Sequence, residues 1–564
     1  MIGSTEESEE RIDRKRVGEI PILQEAARRL RFRDVLERHI SRHGNEIVSA
    51  VDTIMLLVYN IARSRQPLYE LQEWVASLDP RMFDFDLGAN FNDDRFARAL
   101  DKIYDIDRAS AMTEIVLAVV EATGIDTSRF HNDSTTISTF GRLSGRTRDG
   151  LFMARGYSKD HRPDLKQLVY SLTICADGAV PVHCKCYPGN KTDDATHIET
   201  WETLRGIVGR SDFLYVADCK VCTDAQLSHI TSLGGRVVTI IPETWAEVAD
   251  FKKKLRNGKK KREVIWTRNR PNGREDEIES FSVYCGRHRT TKRGFTIHWI
   301  YSSEKRKRDS ATRRARMQKA ERELADLAGK LNERSLKTEQ QITARVDKIL
   351  DRYNVQGLYH VEIRPVQEQR TRQVGRGRPG KNKVREVYFA TIYALAWARR
   401  QDRVEEERNV DGVFPLLSTD PKLSAQDALM AYKYQPRLEK RFEQLKSVHD
   451  AAPLLFKKVE RVEAIMFLFF LALIIQSVLE RQVRGKMKAD CVESAPVYPE
   501  HRRASHPTTA KIIDRFYDVS TYSLLKGDMI ERRFSDSLTQ PQRELLRLLE
   551  IDEGTYWRFV TSAT

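Results

Sequence analysis

Residues 128–241 alternate β-rich and helical runs in an order that constrains the fold more than any other feature of the chain. RFHNDSTTISTF is short, rich in Thr and Ile, and reads as a strand. QLVYSLTICADGAVPVHCKCYP supplies two β-rich runs joined at Asp177-Gly178. That dipeptide signals a hairpin, because a tight turn of this kind needs positive φ at its central positions. DDATHIETWETLRGIVG is helical, SDFLYVADCK is a compact buried strand running into Asp218, and CTDAQLSHITSLGG is a helix stopped by glycine. GRVVTIIPE adds a further strand. The order predicts a mixed α/β sheet whose first three strands are antiparallel.

The flanking sequence divides into further regions. Residues 1–16 are highly charged and are expected to be a disordered tail lacking the apolar core of a signal peptide. Residues 17–124 carry apolar residues at three- and four-residue spacing and predict a helical domain, either a module binding DNA ends or a packing module. Residues 464–480, AIMFLFFLALIIQSVLE, approach transmembrane length, but Gln476 and Ser477 interrupt them and charges crowd both ends. A helix buried in a soluble domain is the expected reading, with no membrane partner. Lys and Arg exceed Asp and Glu by 15, with a pI near 9.3, which favours a polyanionic partner. Seven cysteines, odd and sparse in a chain of 564 residues, predict a reducing compartment rather than a disulfide framework.

The predicted strand order resembles the ribonuclease H-like fold, in which the first and fourth strands lie side by side at the sheet centre. Asp133 falls on the first strand and Asp218 at the carboxyl end of the fourth. Two carboxylates brought together there repel in low dielectric unless a cation neutralises them. Mg²⁺ suits such a pair, and two ions can activate the attacking oxygen and stabilise the departing one in phosphoryl transfer. A third carboxylate follows in LSAQDALMAYKYQPRLEKRFEQLK. Ser424 and Asp427 look like a capping box, Pro436 suits the first turn of a new helix, and Glu439 stands early in it. Lys446, seven residues on, is expected on the same helix face.

As a whole the chain resembles the large insertion-sequence DDE transposase superfamily whose C-terminal signature is Tyr-x₂-Arg-x₃-Glu-x₆-Lys. Tyr432, Glu439 and Lys446 stand at the matching positions, with Phe442 at an apolar one, and Gln435 replaces the arginine. NDSTTI around Asp133, LYVADCK at Asp218, GYSKDHRPDLKQLV and YPGNKTDD resemble other blocks of that superfamily. The resemblance implies an α/β chain with a ribonuclease H-like mixed five-stranded sheet flanked by helices, a helical N-terminal domain and a large insertion before the last catalytic helix. It implies catalytic and metal-binding roles for Asp133, Asp218 and Glu439, two Mg²⁺ ions (Mn²⁺ substituting), and DNA contacts from Tyr432, Gln435, Lys446, Lys159, His161, Arg162 and Lys166. Its further implications are double-stranded DNA partners (terminal inverted repeats and target), a homodimer in the synaptic complex, and a bacterial cytoplasmic, nucleoid-associated location.

Between Asp218 and Glu439 lie 220 residues, more than the bare fold needs. The catalytic domain is therefore expected in two parts, 125–242 and 409–482, around a basic α/β insertion at 243–408, with a C-terminal helical region at 483–564. The insertion carries KKKLRNGKKKR and EKRKRDSATRRAR, a phosphate-binding footprint or simply solvated charge. Met317, Ala320, Leu324, Leu327 and Leu331 predict a helical hairpin within it. Arg376-Gly377-Arg378-Pro379 matches the AT-hook core, for minor-groove DNA binding, or is an ordinary basic loop. Cys184, Cys186, Cys219 and Cys222 raise a zinc alternative that their spacing disfavours. Transposition by DNA cleavage and strand transfer is the expected function. The alternatives are a ribonuclease H-like nuclease without strand transfer and a catalytically silent, transposase-derived DNA-binding protein.

Overall fold

The computed structural model describes residues 10–561 apart from 43, 45, 141–142, 144, 160–161, 192–195, 259, 270–277, 334–335, 376–383, 450, 452–455, 501 and 528. It is a mixed α/β protein of two compact units, Met1–Thr239 with Met430–Thr564, and Ile240–Leu429. The first unit opens with β1 (Glu10–Arg16) and continues through α1 (Ile20–Arg29), α2 (Phe32–His39), α3 (Ala50–Ser64), α4 (Leu71–Ser77), α5 (Asp93–Asp105) and α6 (Arg108–Thr123). Ser49 and Asp52 form a full capping box on α3, and Arg31, with φ 57°, breaks the apolar run into α1 and α2. The expected disordered tail is thus corrected at its end: Glu10–Arg16 is a strand, its backbone groups taken up by a C-terminal strand.

The sheet of this unit follows as β2 (Arg129–Thr139), β3 (Lys166–Cys175), β4 (Pro181–Pro188), α7 (His197–Val208), β5 (Leu214–Val216), α8 (Asp224–Ser232) and β6 (Arg236–Ile240). Its strand order is β4-β3-β2-β5-β6, antiparallel from β4 to β2 and parallel from β2 to β6. The β3–β4 hairpin turns one residue later than Asp177-Gly178 suggests, because Gly178 (φ 78°) and Ala179 (φ 54°) are the left-handed pair. Gly178 is also sterically required, since a Cβ there would sit 2.9 Å from Cβ of Arg481.

The second unit contains α9 (Ala246–Arg256), β7 (Arg262–Asn269), β8 (Ile278–Tyr284), β9 (Thr296–Ser302), α10 (Ser303–Ala328), α11 (Glu339–Arg352), β10 (Tyr359–Gln373), β11 (Arg385–Arg399), α12 (Gln401–Arg408) and β12 (Val413–Ser418). Met317, Ala320, Leu324, Leu327 and Leu331 pack with Ile342, Val346, Ile349 and Leu350, so α10 and α11 form the helical hairpin that the leucine spacing predicts. This unit is wider than the expected insertion at both ends and takes in β12, whose inner pairing is with β9.

The chain then runs through α13 (Ala425–Tyr432), α14 (Pro436–Glu443), α15 (Val459–Ala489), α16 (Thr509–Asp514), β13 (Ser520–Lys526), β14 (Met529–Ser535), α17 (Gln540–Leu548) and α18 (Glu553–Thr561). The C-terminal region is therefore not all helical, as β13 and β14 join β1 in a three-stranded sheet. Helix α15 is long and apolar enough to cross a membrane, yet 94% of its most apolar window is buried inside the protein. Its two polar interruptions are satisfied: Gln476 accepts from Nε2 of His449 at 2.7 Å and donates to the Ala62 carbonyl, while Ser477 donates to Ile474 at 2.9 Å.

Three deeply buried imidazoles make the unit acid-sensitive. Burial pushes His131, His183 and His449 down to about 4 from 6.5. A depressed folded-state value means that the stabilising neutral form is fully present above the unfolded value and is lost as pH falls towards the folded one. Urea midpoints should therefore fall between roughly pH 6.5 and 4, each histidine costing about 1–3 kcal/mol. A flat midpoint across that window would contradict the burial.

Candidate active site

The parallel pairing of β2 and β5 sets Arg129 beside Leu214, Phe130 beside Tyr215 and His131 beside Val216. Two residues further along the same register stand Asp133, midway along β2, and Asp218, just past the carboxyl end of β5. Asp133 is mostly enclosed, its side chain 23% exposed, and its Oδ1 accepts from the Ser134 amide at 2.7 Å. Burial raises its carboxyl above the ordinary range, Lys159 draws it back, and the charge of Asp218 pushes it up again. Asp218 caps the short 3₁₀ turn Cys219–Val221, accepting from the Lys220 amide at 3.0 Å. Its carbonyl oxygen is held by Thr239 Oγ1 at 2.6 Å.

Lys159 reaches the pair from the loop between β2 and β3. Its Nζ lies 3.3 Å from Oδ1 of Asp133 and also donates to the Ser134 carbonyl. Two glycines carry that loop: a Cβ on Gly156 would stand 2.2 Å from the Gly189 oxygen, and one on Gly189 would stand 2.0 Å from the Gln167 oxygen. Gln167 Nε2 then bridges the Tyr157 and Gly189 carbonyls at 3.0 Å each. Residues 156–159 and 187–190 are thus packed together in a unit that presents Lys159, a relation invisible in a linear reading.

Glu439 lies in the first turn of α14 and is exposed, with Pro436 at the start of the helix as expected. Tyr432 is the last residue of α13. Burial first, then the charges of Asp218, Glu439 and Asp133 among its neighbours, push its phenol up to about 12. Helix α14 is anchored from its other side. Arg441, only 5% exposed, donates to the carbonyls of Gly178 and Ala179 at 3.1 Å each and pairs with buried Glu480 at 3.0 Å.

Two features of this segment differ from what its linear spacing suggests. Gln435 is buried: its Nε2 donates to the Asn132 carbonyl at 3.1 Å and its Oε1 faces Nδ1 of His131 at 3.2 Å. It ties the glutamate-bearing helix to the aspartate-bearing strand. Lys446 does not follow Glu439 on a regular α-helical face, because Gln444–Val448 form a π turn. The wider turn advances each residue by less than the α-helical angle, so Lys446 is offset from the row that an unbroken α-helix predicts.

The remaining candidates are dispersed. Arg162 is exposed and engaged with Asp164 at 2.8 Å, and Lys166 donates to the Leu143 carbonyl at 2.9 Å. His161 and Arg376, Gly377, Arg378 and Pro379 lie outside the described residues. Cys184 and Cys186 sit on β4, with β3 and β2 between them and the β5 end that carries Cys219 and Cys222. Sequence reasoning passed over His197, the first residue of α7, which is buried against Asp218 with Nε2 3.9 Å from Oδ1 and Nδ1 3.0 Å from the Tyr215 hydroxyl. Buried His131 was missed as well.

Carboxylate oxygens on a half-enclosed surface, one of them already attracting an ammonium, suit a hard divalent cation. Asp133 and Asp218 meet that description. Among the described residues, however, no three His, Cys, Asp or Glu side chains gather closely enough to hold one ion together.

Residues 12–117 match a family model described as a domain of unknown function, DUF4277. Comparison with curated proteins returns no match. Among solved structures, the chain is similar to a cryo-EM structure of the piggyBac transposase synaptic complex with hairpin DNA, at 8% identity and a TM-score of 0.35, over 96% of this chain and 82% of that one. A likeness of that depth leaves the functional reading to the residues of the site.

Proposed function

We propose that this protein is a DNA transposase, with Asp133, Asp218 and Glu439 as the ligands of two Mg²⁺ ions at a phosphodiester-cutting site. The observation that supports the reading is the β2–β5 register, which brings Asp133 on β2 and Asp218 just beyond β5 to matching positions on neighbouring strands. Bound ions would activate the attacking oxygen and stabilise the leaving one. Asp133 and Asp218 supply hard oxygen ligands, Glu439 a third from the first turn of α14, and Lys159 and Lys446 positive charge for orienting a phosphate. Lys305, Arg306, Lys307 and Arg308 on α10 offer further phosphate contacts to double-stranded DNA. Pairing of two element ends calls for a homodimer.

One observation favours a rival reading. The acids are not gathered around a common point, as expected of a silent, transposase-derived DNA-binding protein. The deciding experiment incubates the full-length protein with DNA carrying the flanking inverted repeats, with Mg²⁺ or Mn²⁺ and with chelator. Transposition predicts metal-dependent cuts leaving 3′-hydroxyls that are then joined to target DNA. Cutting without joining would favour the nuclease, and binding without cutting the silent protein.

A further inference from the structure

The sheet formed by β1, β13 and β14 presents one face that the catalytic reading does not use. Its registers align Arg14 with Tyr522 and Phe534, Ile12 with Leu524 and Arg532, and Glu10 with Lys526 and Met529. These nine residues share one side of the sheet, because directly opposed residues point the same way. Tyr522 and Phe534 stack across the strands at 5.1 Å with their rings 13° apart. Around them Ile12 is 63% exposed, Met529 78% and Phe534 42%. Among the described residues neither Arg532 nor Lys526 has an ion-pair partner, and Arg14 is steadied by Ser520 Oγ at 3.0 Å. The opposite face is fastened to the protein body, with Lys15 donating to the Ala76 carbonyl at 3.0 Å and Thr521 donating to Asp79.

We propose that this face is a binding platform for single-stranded DNA. A surface of stacked aromatics and exposed aliphatics, with three cations against one acid, has the two components that unpaired nucleotides require. The bases find π and apolar surface, and the phosphates find positive charge at the edges. Duplex DNA hides its base faces and cannot use the first component. An acidic protein or a lipid surface would meet the cations but would offer no run of planar bases to stack on Tyr522 and Phe534. The platform stands independently of the carboxylate assignment, so either reading can fail without the other.

The test measures binding of a fluorescein-labelled oligothymidylate to the full-length protein by anisotropy, at salt high enough to weaken simple phosphate attraction. Phe534→Ala should weaken binding about tenfold, the loss of one stacked base, while Phe534→Trp stays within about twofold of wild type. Arg532→Glu, on the same exposed face, should also weaken binding about tenfold with an unchanged melting temperature. A duplex of equal length should shift by less than about twofold in Phe534→Ala, since it offers no base to stack. Unchanged oligothymidylate affinity in Phe534→Ala, or equal losses for single-stranded and duplex DNA, would overturn the proposal. So would a sedimentation result in which Phe534→Ala dissolves a dimer without altering oligothymidylate affinity, because the face would then serve self-association.

Discussion

Asp133→Asn is expected to reduce metal-dependent cleavage by about 10³-fold or more while leaving the metal-free fold at least as stable as the wild type. The two effects share one cause. Asp133 is a carboxylate in a desolvating site, its charge further opposed by Asp218, and Lys159 and the Ser134 amide offset this only in part. An amide of the same shape removes the buried charge, so the strain disappears together with the ligand. Asp218→Asn and Glu439→Gln should lose cleavage to a comparable extent. Melting curves give an independent readout: Mg²⁺ at about 100 times its Kd should stabilise the wild type by about 2.7 kcal/mol and Asp133→Asn by far less. Near-normal cleavage in any one variant would remove that residue from the site. A destabilisation of more than about 1 kcal/mol in Asp133→Asn would instead mark its charge as structural.

What the sequence made legible follows from periodicity. Strand alternation and glycine stops located β2 to β6, and a capping box and a proline located α13 and α14, because those signals act within a few residues. The burial of α15 was readable from its composition, since Gln476 and Ser477 suit a helix that finds polar partners inside a protein. Long-range pairings were not readable. Nothing in ERIDRKR announces a strand, because its partner β13 lies about five hundred residues away and supplies the backbone bonds that its charged side chains do not advertise. The π turn at Gln444–Val448 leaves no periodic trace over so short a span, so the helical-wheel placement of Lys446 failed. The Gly156–Gly189 contact and the inward turn of Gln435 are likewise products of tertiary packing.

Gln435→Arg, which would restore the residue of the superfamily signature, is expected to destabilise this chain by about 3–5 kcal/mol and not to tighten DNA binding. The amide of Gln435 works in both directions. Its nitrogen donates to Asn132, which leaves Oε1 to accept, so the proton of the His131 imidazole belongs on Nδ1. A guanidinium has donors only and would confront that N–H in a pocket that already holds His131 neutral. Switching the imidazole tautomer would relieve the clash but not the cost of burying an unpaired cation, because the side-chain partners of Gln435 among the described residues are the His131 ring and the Asn132 carbonyl, neither of them a carboxylate. Gln435→Met, which deletes the bonds without adding charge, should cost only about 1–3 kcal/mol. Adding His131→Asp to Gln435→Arg should recover much of the loss by giving the guanidinium a buried partner, and Arg437→Ala, at an exposed position, should be nearly neutral. Urea unfolding of the four variants decides the matter, with end binding measured at constant salt. A Gln435→Arg protein that is as stable as wild type and binds DNA more tightly would mean that position 435 reaches the DNA after all. The tie between α14 and β2 would then be dispensable, and Glu439 would have to be positioned by Arg441 alone.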